Sequence, residues 1–180
     1  MKRKIFININ IPKKTKKSLA RATEKWQDLP VKWVKEDNLH ITLSFLGFVY
    51  DHAVVGICEK VQEAVEDMEM IDLEFEKIEL APDKENPKMV WLSGVPSEGL
   101  RILHEKIEKA LNIFVSSKKS FAPHITLGKI RQHKWQELEA VPEIEKTFPL
   151  MVTVESVDIM ASEFEGDGME YVVIESCLLK

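Results

Sequence analysis

His40-Ile41-Thr42-Leu43 and His124-Ile125-Thr126-Leu127 are the same four residues, set far apart in a chain of 180. In a β-strand, side chains alternate between faces, so His and Thr two positions apart share one face while Ile and Leu share the other. Each tetrapeptide therefore offers an imidazole and a hydroxyl side by side on a strand whose second face can pack into a core. A histidine on a strand is ordinarily a hydrogen-bonded structural residue. These two are set apart by their surroundings. Each follows a loop signal, Glu36-Asp37-Asn38 in one case and Ser120-Phe121-Ala122-Pro123 in the other, and each precedes a glycine, Gly47 or Gly128. Both put a polar pair into an otherwise apolar run, where folding alone does not ask for one.

The rest of the chain reads around these two strands. Lys4 to Ile11 alternates as a strand and Pro12 ends it. Leu19, Ala22, Trp26 and Leu29 recur at helical spacing, with the Lys13–Lys17 cluster as a solvated helix entry. Val31–Val34 is short and extended, and Leu39–Phe45 is the first motif strand. Asp51 is expected to cap a helix reaching Asp67 with Val54, Ile57, Cys58, Val61 and Val65 on its apolar face. Ile71–Leu80 and Met89–Val95 read as strands around a proline-containing loop, and Leu100, Leu103, Ile107 and Leu111 mark another helix. Ile113–Val115 is a further short strand, Ser116–Pro123 a polar loop, and Ile125–Ile130 the second motif strand. Met151–Met160 and Tyr171–Leu179 are β-rich runs joined by an acidic loop, Glu163–Gly168. Two half-chains of similar element order point to duplication. The expected fold is α+β, with two pseudo-symmetric lobes, each an antiparallel sheet with outer helices, and a cleft between them. Residues 1–180 are read as a single bilobal domain.

Composition narrows the function classes. Hydrophobic residues make up 44% and charged residues 31%, an ordinary globular balance. A net charge of -5 gives no overall basic surface for tracking nucleic acid, so contact with RNA must be local. Cys58 and Cys177 lack metal or redox spacing and read as free thiols in a reducing compartment. With neither a signal-peptide core nor a membrane-spanning run, a cytoplasmic protein is expected, away from membranes.

A zinc site needs three or four Cys, His or carboxylate ligands. Threonine is a poor one, and His52, His104 and His133 lie away from the motifs, so no metal or other cofactor is expected. Ser44 is assigned to the strand face opposite His40 and Thr42, leaving it without a base and excluding it as a nucleophile. What remains is paired acid–base catalysis, one neutral imidazole taking a proton while an imidazolium gives one. Thr42 and Thr126 would hydrogen-bond non-bridging phosphate oxygens without adding charge. Lys129 could supply a cation for charge growing at phosphorus.

These motifs and their flanks resemble those of the 2H phosphoesterases, which carry paired His-x-Thr-x motifs. They are similar in particular to the RNA 2′,3′-cyclic phosphodiesterases, formerly called 2′-5′ RNA ligases. The resemblance runs nearly end to end. It takes in Lys4-Ile5-Phe6-Ile7-Asn8-Ile9-Asn10-Ile11-Pro12, Trp33-Val34, and Asn38-Leu39-His40-Ile41-Thr42-Leu43-Ser44-Phe45-Leu46-Gly47. Lys88-Met89-Val90-Trp91-Leu92 and Phe121-Ala122-Pro123-His124-Ile125-Thr126-Leu127 complete it. It implies that His40 and His124 are the catalytic pair and that Thr42 and Thr126 bind the phosphate. It further implies metal-independent opening of a 2′,3′-cyclic phosphate, on RNA ends or small nucleotides, to a 2′-phosphomonoester. By analogy His40 is the acid and His124 the base, the reverse assignment remaining open. The family usually has Arg where Lys129 stands and often where Lys4 stands; lysine gives charge without a bidentate fork. Phe45 holds in the first motif the position of Lys129 in the second, and either stacks a base or packs in the core. The protein is expected to act as a monomer. Two other readings stay open, an RNA-end or nucleotide binding module without turnover, and 2′-5′ RNA ligation by the reverse reaction.

Overall fold

Ile5, Ile7 and Ile9 are fully buried on one face of the first strand, β1 (Lys2–Asn10), while its other face carries Lys2, Lys4, Phe6, Asn8 and Asn10. That division between a core face and a second face, on which Phe6 and Asn8 are themselves covered by neighbours, runs through a nine-stranded sheet in a computed structural model describing residues 1–112, 122–165 and 168–180. The further strands are β2 (Val31–Trp33), β3 (His40–Tyr50), β4 (Ile71–Ala81), β5 (Met89–Gly94), β6 (His124–Ile130), β7 (Glu145–Val154), β8 (Ser156–Glu165) and β9 (Gly168–Leu178). The helices are α1 (Lys13–Thr23), α2 (Asp51–Val65), α3 (Glu98–Ala110) and the short α4 (Gln132–Gln136).

The strand order β7-β4-β5-β6-β3-β1-β8-β9, with all pairings antiparallel, divides into two four-stranded halves that meet where β3 touches β6. That junction has one register pair, Ile41 opposite Ile125. Beyond it β2 takes over the edge of β6, pairing Val31, Lys32 and Trp33 with Ile130, Lys129 and Gly128, and β3 goes its own way. The two motif strands thus touch at their first residues and then part, which is the expected two-lobed α+β arrangement. One cluster of buried apolar side chains joins Ile7, Ile41 and Ile159 of one half to Leu73, Leu92 and Ile125 of the other, and to Leu19, Val61 and Leu103 of α1, α2 and α3. Burial of these side chains supplies the main drive to fold.

The halves of the sheet are not the halves of the chain. The run from Met151 to Met160 is two strands broken at Glu155: β7 belongs with β4, and β8 crosses over to pair with β1. The supposed acidic loop is largely strand, with β8 continuing to Glu165 and β9 starting at Gly168, because each strand supplies the other's hydrogen bonds. Asp51 does not cap α2. Tyr50 occupies the cap position, and the Asp51 carboxylate sits in the first turn, paired with the Met1 amino group at 3.4 Å and Arg3 at 3.2 Å. The strand expected at Ile113–Val115 and the loop from Ser116 through Phe121 lie outside the described residues.

Candidate active site

Counting outward from Ile41 opposite Ile125 in antiparallel register sets His40 opposite Thr126 and Thr42 opposite His124. The four polar motif residues therefore form one patch around a local two-fold axis. All four are half-buried, whereas Ile41, Leu43, Ile125 and Leu127 point into the core.

Both imidazoles have a backbone hydrogen-bond partner two residues upstream. His40 Nδ1 lies 2.6 Å from the carbonyl oxygen of Asn38, which can only accept, so Nδ1 carries the proton. That leaves the lone pair on Nε2, where the Thr42 hydroxyl donates at 2.9 Å. His124 likewise has a backbone hydrogen bond to Ala122, again two residues upstream. Aromatic side chains pack on each ring as well. Trp91 of β5 stacks on His124 at 3.9 Å between centroids and 17° between planes. Phe6 and Tyr171 flank His40 at 5.4 and 5.5 Å. These aromatic walls exclude water, and burial pushes both histidines below their ordinary pKa; the cation of Lys16 lowers His40 further, against the opposing pull of the Asn38 carbonyl.

Two matching β-bulges complete the patch. In β3 the register with β1 slips between Asn8–Thr42 and Ile7–Ser44; in β6 the register with β5 slips between Trp91–Thr126 and Val90–Gly128. Strict alternation would return Ser44 to the face of His40 and Thr42. The bulge instead sets it opposite Ile7, buried among the core residues, so the assignment to the far face holds because of the bulge. The same slip brings Phe45 and Lys129 onto the imidazole face. Phe45 is 67% exposed, with its ring 6.1 Å from Phe6, which overturns the core alternative for this residue. Lys129 is exposed and directly opposite Lys32 of β2. Like charges in register repel, so an anion between them relieves the pair.

Several neighbours escape sequence reading. Lys16, expected as part of a solvated cluster, is half-buried and donates from Nζ to the Asp37 carbonyl at 2.9 Å. Burial lowers its pKa, opposed by Asp37, Asp158 and Glu36. Nothing distinguishes it from Lys13, Lys14 or Lys17 by spacing. Trp91 and Tyr171 reach the histidines from strands remote in sequence.

A family model of the 2′-5′ RNA ligase superfamily matches residues 15–163, a span that holds both motif strands. The chain belongs to this superfamily. Other proteins resemble this superfamily member over most of its length. The RNA 2′,3′-cyclic phosphodiesterase of Thermotoga maritima is 28% identical over 177 residues, covering 96% of this chain and 93% of that protein. The protein of the same name from Aquifex aeolicus is 25% identical over 170 residues, 89% of each. Among solved structures, TT0787 of Thermus thermophilus superposes with a TM-score of 0.81 at 21% identity, covering 98% of this chain and 97% of that one. LigT of E. coli complexed with 3′-AMP superposes with a TM-score of 0.77 at 22% identity, covering 99% of both chains. These two likenesses show that the superfamily member shares their fold.

Proposed function

We propose that this protein hydrolyses the 2′,3′-cyclic phosphate of RNA ends or small nucleotides to a 2′-phosphomonoester, using His40 and His124 as its acid–base pair. The observation that carries the reading is the β3–β6 register, which puts both imidazoles and both threonine hydroxyls on one open face. The names of the Thermotoga and Aquifex relatives support the substrate class. Water attacks phosphorus and gives its proton to one neutral imidazole while the bond from phosphorus to the 3′-oxygen breaks. That oxygen takes a proton from the other ring as imidazolium. We assign His40 as the acid and His124 as the base. Thr42 and Thr126 bind the non-bridging oxygens, and Phe45 stacks on the terminal base. Ligation would use the same groups with an RNA 5′-hydroxyl in place of water.

This reading takes residues 1–180 as one bilobal domain, supported by the apolar cluster shared between the half-sheets. It takes the protein as a monomer, and as cytoplasmic, the compartment being in keeping with the free thiols of Cys58 and buried Cys177. No helix among the described residues is long and apolar enough to cross a membrane.

Incubation with the four nucleoside 2′,3′-cyclic phosphates in excess chelator, followed by phosphorus NMR, tests the reaction. A 2′-phosphate is expected; a 3′-phosphate, or activity that needs added zinc or manganese, would overturn it. The pH dependence follows from burial. Both free histidines lose their protons at lower pH than an exposed histidine, yet one must be protonated to act as acid. The bell for kcat/KM, which reports the free enzyme, should therefore peak on the acid side of the ordinary histidine value. The bell for kcat should lie higher, because a bound phosphate anion favours imidazolium. A kcat/KM optimum on the alkaline side would contradict the assignment.

Lys129 tests the anion site. Lys129→Ala should lower turnover by roughly 10-fold or more, since its charge meets the charge that grows on phosphorus. Lys129→Arg should keep or improve activity by adding a second donor. Unchanged turnover in Lys129→Ala would show that the lysine is only solvated.

A further inference from the structure

The site face continues past Phe45. Rows read from the β1–β3 register run outward from the histidine as Asn10 with His40, Asn8 with Thr42, Phe6 with Phe45, Lys4 with Phe48, and Lys2 with Tyr50. A second register slip, between Ile5–Gly47 and Phe6–Phe45, keeps Phe48 and Tyr50 on this face. Gly47, at φ 73°, supplies the left-handed backbone there, which a side chain would strain. Phe48 is 73% exposed and Tyr50 53%. Large aromatics held so open on a strand next to a reaction site do nothing for the core, where Ile5, Ile7 and Leu43 already sit.

Charge along the strip is segregated as well. Its ten positions hold two lysines, five aromatic or imidazole rings, two asparagines and a threonine, with no carboxylate, although the chain as a whole carries net charge -5. One acid shares this face, Asp158 opposite Asn8, and it is buried and accepts a hydrogen bond from the Ser176 hydroxyl at 2.6 Å. The acids near the far end are paired with cations. Asp51 is tied to the Met1 amino group and Arg3, and Glu163 pairs with Arg3. At the far end Lys2 Nζ lies 4.4 Å over the Tyr50 ring, whose plane also stacks with His52 at 5.5 Å. Aromatic faces interleaved with cations, continuous with a phosphate site, are what a single strand of nucleic acid needs: bases stack on the rings and phosphates meet the lysines. Each row lies roughly 7 Å beyond the last, two residues of strand rise, enough for one extended nucleotide.

We propose that Phe48, with Lys4 and Lys2, is a docking track for the single-stranded RNA leading into the terminal cyclic phosphate, the penultimate base stacking on Phe48 and Tyr50 closing the end. This rests on the cyclic phosphodiesterase reading and makes RNA ends, rather than free nucleotides, the preferred substrate.

The test compares a tetraribonucleotide ending in a 2′,3′-cyclic phosphate with the matching mononucleotide. Wild type should favour the oligomer in kcat/KM by about 10-fold or more, the scale of one base–aromatic stack. Phe48→Ala should remove most of that advantage and Phe48→Trp should restore it. Lys2→Gln/Lys4→Gln should flatten the salt dependence of oligomer binding, by a slope change of about 1.4 if two phosphates are involved. No oligomer preference in wild type, or a preference unmoved by Phe48→Ala, would overturn the track. Fluorescence anisotropy with a labelled, 3′-phosphorylated tetranucleotide separates this from the chemistry. Wild type inert toward both cyclic substrates would defeat the phosphodiesterase reading, while loss of anisotropy binding in Phe48→Ala would still support the track and full retention would overturn it. Sedimentation supplies the rival occupant: a dimeric wild type with a monomeric Phe48→Ala would assign the strip to a second copy of the chain, against the proposal.

Discussion

His40→Ala and His124→Ala should each reduce turnover of a cyclic phosphate by at least ~10²-fold, the low end for a lost general acid or base. The variants should fold. Both rings sit on the open face, and the core behind them is built by Ile41, Leu43, Ile125 and Leu127. Each loss removes a proton carrier and one wall of an aromatic contact, with Phe6 and Tyr171 in one case and Trp91 in the other. Removing both should cost far less than the product of the single losses, because acid and base act in one step and either alone is nearly useless. Circular dichroism and a melting curve for each variant, beside initial rates, check this. A folded single variant within a few-fold of wild type would end the acid–base mechanism.

The variants should also differ in pH profile. With His40 gone, the surviving limb should be that of His124, free of the cation of Lys16 that depresses His40. If the acid is His40, residual activity in His40→Ala should rise as pH rises, since only the base must then be deprotonated. The same experiment on His124→Ala should give activity falling with pH. Reversed slopes would exchange the roles without touching the pair.

How much of this was legible in the sequence depends on the range of the interaction involved. The motif strands and the apolar faces of α1, α2 and α3 follow from alternation and helical spacing, which are local. The pairing of β3 with β6 is implied by the repeat, because only a shared face gives two such patches a common purpose. The bulges are not implied. Ser44 and Phe45 change faces through a one-residue slip that appears only when β3 is laid against β1, and Lys129 does so in β6 against β5. Parity counted from His124 would send Lys129 to the core face. Its position as a cation therefore came from chemistry rather than from geometry. The crossover at Glu155 was hidden for a related reason: a break of one residue between two β-rich runs carries no signal about which sheet edge each will find. Lys16 shows the limit most plainly. Its half-buried site next to His40 is made by the Asp37 carbonyl, on a turn that is distant in sequence.

Gly94→Ala should lose both stability and activity, although position 94 touches neither histidine. Gly94 ends β5, and its N–H donates to the Pro123 carbonyl at 2.9 Å. A Cβ there would stand 2.6 Å from the Glu74 carbonyl oxygen, 2.7 Å from Pro123 Cγ and 3.0 Å from the Pro123 oxygen. Two of those three atoms are backbone, so the methyl cannot be accommodated by a rotamer change. One of β4, β5 or the Pro123 segment must move, at a cost of about 1–3 kcal/mol for overpacking. The Pro123 segment is held least, because β4 is pinned on both edges by β5 and β7. Any shift of Pro123 carries with it the Ala122 carbonyl that orients the His124 ring, and His124 itself, the next residue. A displacement near 1 Å at a reacting group is worth ~10²-fold in rate. Turnover should fall by about that factor at temperatures where Gly94→Ala is still folded. Gly56→Ala provides the contrast. The same methyl in the middle of α2 meets nothing within 4 Å, and replacing a helical glycine should raise stability by up to ~1 kcal/mol with the rate intact. Equal melting temperatures and equal rates for the two variants would show that the backbone contact between Gly94 and Pro123 does not position His124.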